Sequence, residues 1–179
     1  MQKMCDYMDE GHQTVSWRID NVKKKIFLHI AGELNIKLNI IPLLFGSLGL
    51  EHRLHADLNA DDIDVLIPEA FLNDKWDSIV SVMNDNGYVL YDLHEHAFER
   101  AGMSVAFASI ESLTPFAGVD ILKIPVIEES GVRYYLLSLE DYLKVYIASS
   151  KDGYRKNKKN KNDEEKIGLI KEVLGKNAE

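Results

Sequence analysis

The apolar positions of the first third of the chain follow a helical period and then change to short apolar runs. Between Thr14 and Leu34, apolar residues recur every three to four positions: Val15, Ile19, Val22, Ile26, Ile30 and Leu34. This period predicts an amphipathic helix. Residues 39–45 form an apolar run that ends at Gly46, which is typical of a buried strand covered on both faces. Residues 62–68 alternate and then turn apolar, so we predict a second strand there.

The middle of the chain is rich in strand-forming residues. Pro68 and the apolar positions from Phe71 to Met83 predict a helix that ends at Gly87. Four further segments have the composition of strands: residues 88–94, 103–110, 119–127 and 132–138. The segments 95–102 and 129–131 are predicted as the connections of two hairpins.

Two helices are predicted at the end of the chain. Ser138 and Asp141 have the spacing of a capping box, which indicates a helix over residues 139–150. A final helix opens near Asn162 and ends at Gly175.

This order of elements predicts an α+β fold. We expect a mixed β-sheet with flanking helices, covered mainly on one side, followed by a short C-terminal helical extension. The predicted division is an α+β domain over residues 1–138 and a helical extension over 139–179, packed on the same domain.

Composition and charge narrow the classes of function. The apolar fraction of 46% suffices for a core, and the net charge of −8 argues against a general nucleic-acid binder. Residues 151–161 differ, because they carry six basic residues and one acidic residue. The acidic N-terminal segment and the lack of a long apolar run predict a soluble, cytoplasmic protein. Cys5 has no second cysteine with which to pair.

The chemistry concentrates between residues 43 and 71. Side chains alternate along a strand, so Asp62 and Asp64 share a face, about 6 to 7 Å apart. Two carboxylates at this spacing repel each other unless a cation lies between them, and they suit Mg²⁺. Upstream, Gly46 allows a close backbone approach, and Ser47 offers donors to an anion.

In this order the motifs resemble the signature of the nucleotidyltransferase superfamily that includes polymerase beta. In that superfamily an apolar strand ends in Gly-Ser and a D-h-D strand follows a short helical connection. The matching residues are Gly46, Ser47, Asp62 and Asp64, within residues 39–125. The chain is also similar in size to the lincosamide and aminoglycoside resistance nucleotidyltransferases.

The resemblance implies Mg²⁺-dependent transfer of an NMP group from an NTP, such as ATP, to a hydroxyl of a small molecule or protein. It implies two Mg²⁺ ions, replaceable by Mn²⁺, held by Asp62, Asp64 and a third carboxylate on a strand beside them. Asp120 is the expected third ligand and base, with Asp92 and Glu95 as alternatives. Ser47 is expected to hold the terminal phosphates.

Basic residues are a further candidate for phosphate binding. Lys144, together with part of the basic segment, is predicted to bind the triphosphate or an anionic acceptor. The histidine pairs His52/His55 and His94/His96 lack a third ligand at a recognised spacing, so solvated loop positions are predicted for them. Tyr142 and Tyr146 share a helix face, and one of them is a candidate for stacking on a base.

Two other functions stay open from the sequence. One is a catalytically inactive nucleotide-binding or toxin-antitoxin-type interaction module of the same fold. The other is nucleotidyl transfer to RNA, which is supported by the basic segment and opposed by the net charge. The two short C-terminal helices also leave homodimerisation open as a way to complete the acceptor cleft.

Overall fold

The computed structural model describes residues 11–151 and 161–176, with side chains from Val22 to Lys151 and from Asp163 to Lys176. The helices in chain order are α1 Gly11–Leu38, α2 Gly46–Leu54, α3 Trp76–Asp85, α4 Leu113–Ala117, α5 Leu139–Lys151 and α6 Lys161–Lys176. The strands are β1 Leu43–Leu44, β2 Ile63–Ile67, β3 Val89–Asp92, β4 Ala97–Arg100, β5 Met103–Ser109, β6 Val126–Glu129 and β7 Val132–Tyr135. Two 3₁₀ turns lie at Glu69–Phe71 and Ile121–Lys123.

Within the described residues, the seven strands form one mixed sheet, which confirms the predicted α+β class. Their order is β3-β4-β5-β2-β1-β7-β6. The pairs β2–β5 and β1–β7 are parallel and the other neighbouring pairs are antiparallel. The strands next to β2, which carries Asp64, are therefore β1 and β5.

The first core lies on the face of the sheet that α1 and α3 cover. Alternate residues of β2, Ile63, Val65 and Ile67, are fully buried there. Val105 and Phe107 of β5 belong to the same core. The alternation therefore turns Asp64 toward the opposite face.

The second core lies on that opposite face, under α4, α5 and α6, so the expectation that the sheet is covered mainly on one side is wrong. It contains Leu43 and Leu66 from the sheet, Tyr142 from α5 and Ile170 from α6. At the β3 end of the sheet, side chains stay exposed: Val89 is 67% and Tyr91 is 57% accessible.

Several predicted elements are confirmed. The first helix extends to Leu38, β2 and β5 match their predicted segments closely, and the last helix covers its predicted range. The capping box at α5 is present, since the Asp141 amide donates to Ser138 Oγ at 3.1 Å.

Other predictions are wrong. Residues 95–102 are not a simple connection, because they contain β4, which pairs with β3 and β5. The predicted strand over 119–127 is instead a 3₁₀ turn followed by β6. The run 39–45 forms only the two-residue β1, and Pro68 precedes a 3₁₀ turn rather than a regular helix.

Among the described residues, the structure has no helix with the length and apolar character needed to cross a bilayer.

Candidate functional site

Gly46 lies at the point where β1 turns into α2, directly against Asp64. Its φ of +62° falls in the left-handed region, which favours glycine. A Cβ at this position would overlap Asp64 Oδ2 and lie 2.9 Å from Asp64 Cγ. The absence of a side chain at residue 46 therefore lets the carboxylate of Asp64 rest on the turn.

The N-terminus of α2 points its first amides out of this turn. The first amides of a helix have no carbonyl partner within the helix, and Phe45 at the N-cap provides no side-chain cap. The Phe45 amide itself donates to the Asp64 carbonyl at 3.0 Å, which ties the turn to β2. A helix N-terminus of this kind attracts anions such as phosphate.

Lys166 brings a positive charge to the same turn. Its Nζ donates to Ser47 Oγ at 2.8 Å and lies 5.1 Å from the centre of the Tyr146 ring. Lys166 is partly buried on α6, so this contact links the last helix to the Gly46-Ser47 turn. The hydroxyl, the helix N-terminus and the ammonium group together suit a phosphate chain.

Tyr142 and Tyr146 of α5 pack against the Gly46-Ser47 turn and the end of β1. Both rings are buried and stack at 6.4 Å, so neither is available to stack on a base. Burial raises the pKa of Tyr146, and a hydrogen bond with Ser47 opposes that rise. Tyr142 donates to the Leu44 carbonyl at 3.2 Å, and a Cβ on Gly49 would overlap this hydroxyl.

Asp62 and Asp64 are both partly buried at the start of β2. Asp62 lies one residue before the strand, and Ile63 between the two carboxylates is fully buried. The preceding loop is held by Glu51 of α2, whose Oε1 accepts from the amides of Leu58 and Ala60 at 3.0 and 2.8 Å. Since Glu51 is almost fully buried, it fixes the path by which the chain reaches Asp62.

Asp120 is not on a strand beside β2, so the expected placement is wrong. It caps the 3₁₀ turn before β6, accepts from the Leu122 amide at 3.2 Å and pairs with Lys123 at 3.1 Å. These two contacts lower the pKa of Asp120. After α4 the chain runs to β6 at the far edge of the sheet, whereas the neighbours of β2 are β1 and β5.

The alternatives to Asp120 lie elsewhere as well. Asp92 ends β3, three strands from β2, which is roughly 14 Å at ordinary strand spacing. Its Oδ1 accepts from the amides of His94 and Glu95 and so closes the turn that contains Glu95.

Lys144 lies in a different environment from the Gly46-Ser47 turn. It donates to Asp141 at 2.8 Å, is half-exposed and lines an open groove beside Phe116 of α4. Tyr146 and Lys144 are two residues apart on α5, so they point to different sides of the helix. The lysine that contacts Ser47 is Lys166.

The histidines form no metal site in the described part of the chain. His52 lies on α2 rather than in a loop and contacts Lys24 and Tyr134, while the His96 ring packs 4.6 Å from Trp76. Residues 152–160 of the basic segment and Cys5 lie outside the described residues, so the predictions about them stay predictions.

The donor set fits one divalent cation better than two. Asp62 and Asp64 offer hard oxygen ligands next to the Gly46-Ser47 turn, and Mg²⁺ typically completes such a set with water and substrate phosphates. Within residues 11–151 and 161–176, no three His, Cys, Asp or Glu side chains come together in a group that could hold a metal ion. The expected cluster of Asp62, Asp64 and Asp120 is therefore not formed.

Two residues of the site escaped prediction from the sequence. Lys166 is 119 positions from Ser47 and is one of many lysines. Its position next to the apolar residues Ile167 and Ile170 of α6 is the signal that it borders a buried surface. Glu51 could have been noticed as a charged residue between the buried Leu50 and the loop that leads to Asp62.

Comparison with solved structures identifies the fold. The solution structure of the antibiotic-resistance factor ANT(2'')-Ia matches with a TM-score of 0.54 and 15% identity over 86% of each chain. The crystal structure of ANT(2'')-Ia with adenylyl-2''-tobramycin gives a TM-score of 0.51 at 15% identity, over 86% of this chain and 90% of the other. A nucleotidyltransferase-like protein from Paracoccidioides brasiliensis gives 0.55 at 15% identity, over 83% of this chain and 75% of the other.

Comparison of sequences identifies a relative. No family model matches the chain. The uncharacterized protein YnaI of Bacillus subtilis (strain 168) is 45% identical over 148 residues, which are 83% of this chain and 95% of YnaI. The chain therefore belongs to the same family as YnaI and has a nucleotidyltransferase-like fold.

Proposed function

We propose that this protein binds an NTP as its magnesium complex and transfers the NMP group to a hydroxyl of a small molecule or a protein. The observation that carries the proposal is the packing of Asp64 against Gly46. This packing brings a carboxylate next to a helix N-terminus, while Lys166 binds Ser47 on the same turn. Phosphate-binding and metal-binding groups are thereby combined in one place.

Each part of the site has a distinct role in this proposal. The first amides of α2, Ser47 Oγ and Lys166 Nζ hold the terminal phosphates of the NTP. Asp62 and Asp64 hold Mg²⁺, or Mn²⁺ in its place, and this cation would neutralise phosphate charge and polarise the reacting phosphoryl group. Positioning and charge stabilisation contribute most of the catalysis in phosphoryl transfer, so a rigid turn of this kind suits the reaction.

The comparisons support the acceptor class only in general terms. The neighbour ANT(2'')-Ia was crystallised with an adenylylated tobramycin, so the fold accommodates transfer to a hydroxylated small molecule in that protein. We propose an acceptor of similar chemistry here, with ATP as one of the candidate nucleotides and the cytoplasm as the place of action.

One observation favours a second candidate function. The described carboxylates do not form a group of three, and Asp120 is engaged by Lys123. A catalytically inactive nucleotide-binding or interaction module of the same fold would need only the phosphate site and one cation. The two candidates share the binding site and differ in whether pyrophosphate is released.

Isothermal titration with a non-hydrolysable ATP analogue and Mg²⁺ tests the shared site. We expect Asp64→Asn to abolish the Mg²⁺ dependence of binding, and Lys166→Met to weaken affinity roughly tenfold, or about 1.4 kcal/mol. Lys144→Met is the matched control, because it removes a lysine of α5 that pairs with Asp141, and its affinity should stay within about twofold of the parent. Equal losses in the two lysine variants would contradict the assignment of Lys166.

Pyrophosphate release from ATP in the presence of candidate acceptors separates the two functions. Release that is lost in Asp62→Ala supports transfer. Tight binding of the nucleotide without release, across aminoglycoside, nucleoside and protein acceptors, supports the inactive module.

A further inference from the structure

The parallel pairing of β2 with β5 determines which residue lies beside Asp64. In that register Asp64 is opposite Ala106, between the pairs Ile63–Val105 and Val65–Phe107. The flanking pairs point into the first core, so Asp64 and Ala106 share the opposite face. Neighbouring strands are about 4.8 Å apart, so a side chain at position 106 lies within reach of a cation bound to Asp64.

The cross-strand partners of Asp64 on β5 and then on β4 are small apolar residues. Ala106 is in turn opposite Ala97 of β4. The other residues of β5 on this face are Ser104 and Ala108, neither of which has a carboxylate.

The first carboxylate after β5 is already engaged. Glu111 Oε2 accepts from the Glu69 amide and from Ser109 Oγ, both at 2.9 Å. Glu111 thus links the end of β5 to the 3₁₀ turn that follows β2. Residues 104 to 108 of β5 therefore supply no carboxylate beside Asp64, and the next carboxylate along the chain is bound in a local network.

A site with two metal ions needs a carboxylate that can bridge or complete both ions, which lie about 3.5 to 4 Å apart. Asp62 and Asp64 can complete one ion together with water and phosphate oxygens. A second ion on the side of β5 would meet the methyl group of Ala106.

We propose that this protein holds a single divalent cation with its nucleotide, and that Ala106 occupies the position at which a carboxylate would create a second cation site. This inference rests on the proposed nucleotide site, and it does not require that the protein transfers the nucleotide.

Mn²⁺ counting by electron paramagnetic resonance tests the inference on the full chain, saturated with a non-hydrolysable ATP analogue. We expect about one bound Mn²⁺ per bound nucleotide in the parent and about two in Ala106→Asp. Ala108→Asp is the matched control. It adds the same charge to the same strand face but lies opposite Leu66, so its count should stay at about one.

The possible results are distinct. About two Mn²⁺ per nucleotide in the parent would overturn the single-cation site, and this measurement needs no variant to fold. A count of about one in a folded Ala106→Asp protein would overturn the role of position 106. A parent that binds Mn²⁺–nucleotide with no measurable affinity would contradict the proposed function itself, and the inference would fall with it.

Discussion

Gly46 meets two separate requirements with one residue. Its backbone takes a positive φ, and its missing Cβ leaves the space that the Asp64 carboxylate occupies. Gly131, in the turn between β6 and β7, meets only the first requirement, since a Cβ there would have open space around it. Substitutions at the two glycines therefore distinguish the cost of backbone strain from damage to the site.

We predict that Gly131→Ala lowers the free energy of unfolding by about 1 to 2 kcal/mol, the ordinary cost of a left-handed residue, and leaves nucleotide affinity unchanged. Gly46→Ala should have at least this cost and should also weaken Mg²⁺–nucleotide binding by more than about tenfold, because Asp64 is displaced. Urea unfolding and calorimetry measure the two effects. Unchanged nucleotide affinity in Gly46→Ala would contradict the contact between the turn and the carboxylate.

Short-range motifs could be predicted at this scale, and long-range contacts could not. Gly46, Ser47, Asp62 and Asp64 are close in the chain, and strand alternation alone indicates how two of them are arranged. Lys166 reaches Ser47 only because α6 packs on α5, and its neighbours Ile167 and Ile170 indicate a buried surface without indicating that this surface lies at Ser47.

Among the secondary-structure elements, the loop between α2 and β2 depends on a single buried carboxylate. Glu51 accepts two amide hydrogen bonds from this loop, and Lys23 of α1 donates to the Ala60 carbonyl. The loop is therefore fixed from both sides just before it delivers Asp62.

We predict that Glu51→Ala lowers the free energy of unfolding by about 1 to 3 kcal/mol, because the buried amide of Ala60 and the partly buried amide of Leu58 lose their acceptor. It should also weaken Mg²⁺–nucleotide binding, because Asp62 loses its fixed position. Glu51→Gln keeps an acceptor oxygen and should retain most of both properties. Urea unfolding measures the stability of both variants, and calorimetry measures their nucleotide affinity. Equal stability and equal affinity of the two variants would contradict the role of Glu51.

The errors of prediction among the elements have physical causes. The β4 strand has only four residues and no alternation, since Ala97 and Phe98 are buried and Glu99 and Arg100 are exposed, which gives it the pattern of a loop. Pairing with β3 and β5 on its two sides forms the strand in spite of this composition. Val119 and Ile121 flank Asp120 as apolar residues flank Asp64, but they pack in the second core without forming a strand.

At the scale of the whole molecule, α6 connects stability with function. Ile170 is fully buried in the second core, and Lys166 lies one turn earlier on the same helix. Packing of α6 through its apolar side therefore also positions the ammonium group of Lys166 at Ser47.

We predict that Ile170→Ala lowers the free energy of unfolding by about 2 to 5 kcal/mol and weakens nucleotide binding, because α6 is held less firmly. Leu169→Ala is the matched control; Leu169 is 41% exposed, so its cost should be below about 0.5 kcal/mol. Calorimetry below the unfolding temperature measures the binding. Full nucleotide affinity in a folded Ile170→Ala protein would contradict the coupling.

Gly49 of α2 and Tyr142 of α5 lie in close contact. A single missing methyl group lets the two helices touch so closely that the tyrosine hydroxyl bonds the Leu44 carbonyl of the neighbouring strand. That bond ties α5 to β1, the strand that leads directly into α2. The amides at the start of α2 are thus already oriented in the unliganded protein. Ligand binding therefore costs little further loss of conformational freedom.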